Sequence, residues 1–189
     1  MELNELERIR FEKMQQMREQ GHEPYPTRTE VNLNNAEAIR KFEENETAGS
    51  PEVLTAILGG RLRAIRLMGK LAFAHIEDGS GRLQLFFRVN ELGESEMQRF
   101  KDQFDIGDYI QAGGEIIRTR TGEISLLVRE FKMLAKAITP LPAAKDEVVD
   151  GQVVRHATLA DVETRYRQRY ADLAVNEEVR KIFKTRAKV

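Results

Sequence analysis

Residues 61–89 read RLRAIRLMGKLAFAHIEDGSGRLQLFFRV, and this stretch decides the fold. Residues alternate in character on both sides of the turn-forming sequence Asp-Gly-Ser-Gly, which is the pattern of a β-hairpin. Alanine, isoleucine, leucine and phenylalanine occupy the positions expected to face a core. The opposite, outward face carries Phe73, His75, Gln84, Phe86 and Arg88. A face that combines aromatic rings with an amide and a guanidinium group predicts a binding surface.

The charges around this hairpin are predominantly basic. Aromatic rings stack on unpaired bases, side-chain amides hydrogen-bond to base edges, and cations attract phosphates. We therefore expect the outward face to bind single-stranded RNA. Between residues 61 and 88 there are two acidic side chains and six basic ones, namely Arg61, Arg63, Arg66, Lys70, Arg82 and Arg88.

Five strands are predicted, with a helix between the third and the fourth. The connection over residues 94–104 has apolar residues at helical spacing. Five strands with a helix at this position are the pattern of an oligonucleotide-binding (OB) barrel, a Greek-key fold. The expected fold is therefore mainly β, a five-stranded OB-fold barrel with flanking helices. The strands are expected over residues 53–68, 70–77, 82–89, 109–118 and 123–134.

Helical segments are predicted on both sides of the barrel. Apolar spacing among charged residues predicts a helix over residues 3–20, and Gly21 is a suitable stop. Asn34 and Asn35 are suitable caps for a second helix over residues 36–45. After the barrel come a proline-containing, weakly periodic stretch and a basic, helix-prone one. The expected divisions are an N-terminal helical segment (1–52), an OB-fold domain (53–137), a linker (138–162) and the helical start of a further domain (163–189).

Composition limits the other kinds of site. The 189-residue chain has a formal net charge of −1 with 32% charged residues, so a nucleic-acid site must be a local basic patch. It has no cysteine, and its three histidines (His22, His75 and His156) lie far apart in the sequence, so we expect no metal site. The start of the chain is charged and has no long apolar run, so we expect neither a signal peptide nor a membrane span. The expected location is the cytoplasm.

A set of motifs runs through nearly the whole chain. They are RLMGKLAF (66–73), EDGSGRLQLFF (77–87), FDIGDYI (104–110), TRTGEIS (119–125), KAITPLP (136–142) and RYRQRYADLAVN (165–176). Together they resemble the class II lysyl-tRNA synthetases, in their N-terminal anticodon-binding domain and the start of their catalytic domain. The Gly-Lys-x-x-Phe strand alone is shared with the related aspartyl and asparaginyl enzymes. The combination with the later motifs is specific to the lysine enzymes.

The resemblance implies roles for individual residues of the outward face. Phe73 is expected to stack on an anticodon base, and Arg66 and Gln84 are expected to contact anticodon uridines. Glu123, in the sequence TRTGE, matches a further base-contacting position. A uracil edge has two carbonyl acceptors and one N–H donor, so these side chains can distinguish it from cytosine. Further candidate RNA contacts are His75, Lys70, Arg82, Arg88 and Phe86.

The resemblance also implies partners and cofactors. The partner is lysine tRNA, bound through its anticodon loop. The complete enzyme is expected to form lysyl-adenylate from lysine and ATP with Mg²⁺, at motifs beyond residue 189, and to pass the lysyl group to the tRNA. Residues 179–189 resemble the beginning of the first class II motif, whose helix belongs to the dimer interface, so the complete enzyme is expected to be a homodimer. The chain itself is expected to hold no cofactor and to be unable to aminoacylate, as a piece of a longer protein.

Three alternatives are open. A free-standing OB-fold protein would bind single strands without sequence preference, but it would have no use for RYRQRYADL. An aspartyl or asparaginyl relative would carry a different set of base-reading residues and would not predict the TRTGE and PLP sequences. A regulatory relative would bind protein partners through the barrel without tRNA.

Overall fold

The computed structural model describes residues 3–49, 52–142, 145–149, 152–156, 159 and 161–189. The chain divides into two compact units, residues 1–139 and residues 140–189. The first unit contains the barrel with its N-terminal helices, and the second contains a hairpin and the C-terminal helices.

Five strands form a closed barrel, as predicted. They are β1 (Thr55–Met68), β2 (Leu71–Glu77), β3 (Arg82–Arg88), β4 (Tyr109–Arg118) and β5 (Ile124–Ala135). The order around the barrel is β1-β2-β3-β5-β4. Neighbouring strands are antiparallel except β3 and β5, which are parallel. The β2–β3 hairpin therefore lies between β1 and β5, and both of these strands contribute side chains next to its outward face.

Alternate residues of the hairpin form the centre of the barrel core. Ala72, Ala74 and Ile76 on β2 are completely buried, as are Leu85 and Phe87 on β3. Most of the residues between them are partly exposed on the other side of the sheet. The predicted inward and outward faces of the hairpin are therefore confirmed.

A helix follows β3 at the predicted position. It is α4 (Glu94–Gln103), and the four-residue α3 (Val89–Leu92), which the sequence analysis does not predict, precedes it. Phe100 of α4 is completely buried, and its ring centroid lies 4.1 Å from that of Phe87. The helix thus completes the barrel core.

Two helices precede the barrel, close to the predicted ranges. They are α1 (Glu5–Glu19) and α2 (Asn35–Thr47). Asn4 and Asn34 are their N-caps, each in a capping box with a glutamate three residues later. Gly21 follows α1 with a φ of +80°, as expected of a helix stop.

The second unit contains more regular structure than predicted. Two antiparallel strands, β6 (Lys145–Val149) and β7 (Gln152–His156), lie in the expected linker. The helix-prone end of the chain forms α5 (Val162–Arg167), α6 (Arg169–Val175) and α7 (Glu177–Lys188). The boundaries drawn between domains from the sequence stay predictions.

The described residues contain neither a candidate membrane span nor a candidate metal site. None of their helices combines the length and the hydropathy needed to cross a bilayer. No three histidine, aspartate or glutamate side chains within these same ranges are grouped to hold a metal ion.

Candidate nucleic-acid interface

The first row of the outward face crosses three strands. Phe73 on β2 is paired with Arg66 on β1 and with Phe86 on β3. Residues paired across a sheet point to the same side, so the three side chains are neighbours. The Phe73 and Phe86 rings are parallel to within 2°, with centroids 4.7 Å apart. Because Phe86 covers one face of the Phe73 ring, the other ring face is directed toward β1 and Arg66.

The predicted cations near this row differ in their bonding. The side chains of Arg66, Lys70 and Arg82 are exposed and make no hydrogen bond or ion pair with the described part of the chain. The Arg88 guanidinium lies 3.9 Å from a carboxylate of α3. The first three side chains therefore offer positive charge that no described residue neutralises through an ion pair.

The second row contains a connected hydrogen-bond network. Gln84 on β3 is paired with His75 on β2 and, in parallel register, with Ser125 on β5. The Glu123 carboxylate accepts hydrogen bonds from His75 Nε2 at 3.0 Å and from Gln84 Nε2 at 2.6 Å. The Ser125 hydroxyl donates to Gln84 Oε1 at 2.8 Å. Both ends of the Gln84 amide are thus held by neighbouring side chains.

Glu123 determines the polarity of this network. An ionised carboxylate only accepts hydrogen bonds, so both nitrogen atoms that it contacts must carry protons. The Gln84 nitrogen therefore faces Glu123, its oxygen faces Ser125, and His75 is protonated on Nε2. Each amide atom of Gln84 keeps one further capacity, an N–H on the nitrogen and a lone pair on the oxygen.

The turn between β4 and β5 places Glu123 beside Gln84. Gly122 has a φ of +88°, a left-handed conformation that glycine adopts without strain. The Thr119 backbone N–H donates to the Glu123 carbonyl at 2.9 Å, and the Glu123 N–H donates to the Thr119 hydroxyl at 3.2 Å. These bonds fix the backbone from which the carboxylate projects.

An open depression of about 430 Å³ lies beside the second row. Gln84 and Glu123 line it, together with Ile39 from α2. Arg82 and Arg118 also border it. Gln84 is only 8% exposed, and where it borders the depression the surrounding surface is partly apolar and partly basic.

Sequence reasoning identified every member of the two rows except Ser125. Ser125 lies in the motif TRTGEIS, two residues after Glu123, but nothing in the sequence marks it as a partner of Gln84. Its contact depends on the parallel pairing of β3 with β5, strands separated by more than 30 residues. The only signal for Ser125 in the sequence is its place on the predicted fifth strand.

The closed five-stranded barrel, with aromatic, amide and basic side chains on its outward face, is the architecture of an OB-fold nucleic-acid-binding domain. The family model described as an OB-fold nucleic acid binding domain, of the tRNA anti-codon family, matches residues 56–134. The OB fold predicted from the sequence is therefore confirmed.

The whole chain is similar to lysine–tRNA ligases. It is 44% identical to the enzyme of Chloroflexus aurantiacus, and 39% identical to those of Pelotomaculum thermopropionicum and Roseiflexus castenholzii. Each comparison covers all of this chain and 36%, 34% and 36% of the relative, respectively. The chain thus spans about a third of the length of these curated relatives. It carries an anticodon-binding OB domain that matches the N-terminal region of lysine–tRNA ligases.

Proposed function

We propose that the outward face of β2 and β3 reads uridine in the anticodon loop of lysine tRNA. The observation that carries the proposal is the parallel stack of Phe73 and Phe86 beside a Gln84 amide of defined orientation. Gln84 is two residues from Phe86 on β3, so it lies roughly 7 Å along the strand from the row that contains Phe73. An RNA strand that crosses both rows therefore brings a base edge to Gln84 while a base stacks on Phe73.

The free capacities of Gln84 match uracil. A uracil edge presents the N3–H donor beside the O4 acceptor, and Gln84 offers an Oε1 lone pair and an Nε2–H to meet them. Cytosine is reversed at both positions, with an N3 acceptor beside an N4–H donor. With its amide in the orientation described above, Gln84 accepts uracil and opposes cytosine.

The remaining residues supply affinity. Stacking on Phe73 contributes about 1 to 3 kcal/mol per base, whatever the base. Arg66, Lys70 and Arg82 attract the phosphates, and each single-strand phosphate contact adds about −0.7 to the slope of log affinity against log salt. Glu123, the other residue expected to contact a base, lies on the same face, and about 45% of its side chain is exposed.

We propose further that the parent protein is a class II lysine–tRNA ligase of the cytoplasm, acting as a homodimer. Support comes from the names of the relatives and from the motifs resembling that class. Because the chain spans about a third of those relatives, we place the sites for lysine, ATP and Mg²⁺ in the part that it does not match. Residues 1–189 are then expected to bind lysine tRNA without aminoacylating it.

The test measures binding of the 189-residue chain to the lysine tRNA anticodon stem-loop and to the same loop with its central uridine changed to cytidine. Phe73→Ala is compared with Phe11→Ala, which removes an exposed ring from α1 instead. We expect the unsubstituted 189-residue chain and its Phe11→Ala variant to prefer the uridine loop. We expect Phe73→Ala to lose affinity by about 1 to 3 kcal/mol.

The salt dependence separates this proposal from general electrostatic attraction. At two salt concentrations the slope should report phosphate contacts while the preference for uridine persists. Equal binding of the two loops, unchanged by Phe73→Ala, would show that the face is only a basic surface.

A further inference from the structure

We propose that Glu123 acts as a positioning residue that fixes the polarity of the Gln84 amide and so determines the preference for uridine over cytidine. The inference rests on the proposed function and specifies how one residue of that site contributes. It assigns Glu123 an effect exerted through Gln84, whether or not its carboxylate also touches the base.

The need for such a residue follows from the chemistry of the amide. Rotating a glutamine amide by 180° exchanges its N–H donors with its carbonyl acceptor while leaving its shape almost unchanged. In one orientation the amide matches uracil, and in the other it matches cytosine. An unrestrained glutamine would therefore accept both bases, and discrimination requires a neighbour that favours one orientation.

Glu123 meets this requirement because its carboxylate cannot donate. In the observed orientation Gln84 Nε2 donates to Glu123 at 2.6 Å. After rotation the amide oxygen would face the carboxylate, and two acceptors would oppose each other at that distance. The rotated amide is therefore strongly disfavoured for as long as Glu123 stays in place.

Two further contacts keep the arrangement in place. His75 Nε2 donates to the other oxygen of the Glu123 carboxylate at 3.0 Å, which leaves the first oxygen for Gln84. On the opposite side of Gln84, the completely buried Ser125 hydroxyl donates to Oε1 at 2.8 Å. A serine hydroxyl both donates and accepts, so Ser125 holds the amide without choosing its polarity. The choice is made by Glu123.

The experiment replaces Glu123 by its isosteric amide. Glu123→Gln keeps the size of the side chain but is able to donate as well as accept, so both orientations of Gln84 become acceptable. Binding of the full 189-residue chain is measured with the uridine and cytidine loops, and the ratio of the two affinities is the readout. We expect Glu123→Gln to lower this ratio about fivefold, the effect of one hydrogen bond, mainly by improving the binding of cytidine.

The same substitution is then made in a Gln84→Ala background. If Glu123 acts through Gln84, Glu123→Gln has no further effect on the ratio there. An equal fall in both backgrounds would show that Glu123 reads the base directly, and an unchanged ratio in the parent background would also overturn the inference. A parent chain with no preference for uridine would instead refute the proposed function. Thermal melts of each variant confirm that the affinities refer to folded protein.

Discussion

Phe73 and Phe86 are paired residues of the same type, yet their surroundings differ. The Phe86 ring has Phe73 on one face, the Arg88 guanidinium lies 5.9 Å from its centroid, and its parallel register partner is Leu127, which is only 7% exposed. Phe73 has Phe86 on one side and the exposed Arg66 on the other. Only Phe73 therefore has a ring face turned toward an open position. We infer that Phe73 contacts the base and that Phe86 fixes the orientation of the Phe73 ring by stacking on it.

The effects of Phe73→Ala and Phe86→Ala on RNA binding should therefore not add. Phe86→Ala should weaken binding of the uridine loop by less than Phe73→Ala does, because it loosens the stacking ring without removing it. In a Phe73→Ala background, Phe86→Ala should cause no further loss, since residues that act as a unit are not additive. Titrations of the four proteins with a labelled stem-loop measure the coupling. Equal losses in both backgrounds would mean that Phe86 contacts the RNA itself.

The turn of the β2–β3 hairpin also accepts hydrogen bonds from the first turn of α2, next to its N-cap Asn34. Asp78 Oδ1 accepts from the backbone N–H groups of Ser80 and Gly81, at 2.7 and 2.9 Å. Its Oδ2 accepts from the Asn35 N–H at 2.8 Å, and the Ser80 hydroxyl accepts from the Ala36 N–H at 3.0 Å. The first N–H groups of a helix have no partner within the helix, so these bonds anchor α2 to the hairpin. Through this anchor α2 is held where its Ile39 borders the depression.

The ionisation of Asp78 links this anchor to pH. Burial raises the pKa of Asp78, but the hydrogen bonds from Ser80, Asn35 and Gly81 outweigh it, so the pKa lies below its usual value. A lowered pKa in the folded state means that the carboxylate stabilises the fold above the unfolded-state pKa of about 3.9. This contribution is lost as the pH falls through the folded-state pKa.

We therefore expect Asp78→Ala to lower the free energy of unfolding by about 1 to 2 kcal/mol at pH 7, as for the loss of a helix cap. The difference from the parent chain should shrink as the pH falls below about 4. Urea unfolding followed by circular dichroism at several pH values measures it. Asp102→Ala, which removes an exposed carboxylate from α4, is the control and should change little. A difference that stayed constant down to low pH would exclude a role for the ionised carboxylate.

Most elements could be predicted from the sequence because their signals are local. The ends of all five barrel strands lie within two residues of prediction, since period-two alternation and turn residues mark them. The four residues of α3 are too few to show a helical period. The β6–β7 hairpin was missed although Asp150-Gly151, a dipeptide favoured in hairpin turns, separates two valine pairs.

The candidate site could be predicted only in part, because some of its contacts depend on the pairing of distant strands and not on local sequence. Alternation along β2 and β3 indicates that Phe73 and Gln84 point outward, because that is a property of each strand alone. Which atoms meet Gln84 depends on how distant strands pair. Its contacts with Ser125 and Glu123 require β5 to lie beside β3 in one register, which no local pattern specifies.

A buried ionic cluster joins four distant segments of the first unit. The Lys136 side chain, which follows β5, is completely buried. Its Nζ donates to Asp105 at 2.6 Å, to Asp108 at 2.8 Å and to the carbonyl oxygen of Gln103 at 2.8 Å. Asp105 also accepts from Lys13 of α1 at 2.8 Å. The cluster therefore connects α1, the end of α4, the loop before β4 and the end of the barrel.

Within this cluster, the neighbouring ammonium groups keep the carboxylate of Asp105 ionised. Burial raises the pKa of Asp105, but the hydrogen bonds from Lys13 and Lys136 outweigh it and hold the pKa below its usual value. Arg10 of α1, itself only 7% exposed, donates to the backbone oxygen atoms of Ala137 and Ile106 at 2.9 and 3.0 Å. Removing a buried ion's partner is costly, because the remaining charge has already lost its hydration. The position of α1 on the barrel should therefore depend on the cluster being complete.

Lys136→Met tests this dependence, because it keeps the length of the side chain and removes only its charge and donors. We expect it to lower the free energy of unfolding by roughly 3 to 5 kcal/mol, since the carboxylates of Asp105 and Asp108 would lose their shared cation. The matched control is Lys132→Met, four residues earlier, where the ammonium group pairs with exposed Glu30 at 2.7 Å. An exposed pair contributes little, so this variant should unfold at nearly the same urea concentration as the parent chain. If both variants unfolded alike, the fold would not depend on the cluster, and the other contacts of α1, including those of Arg10, would hold it to the barrel.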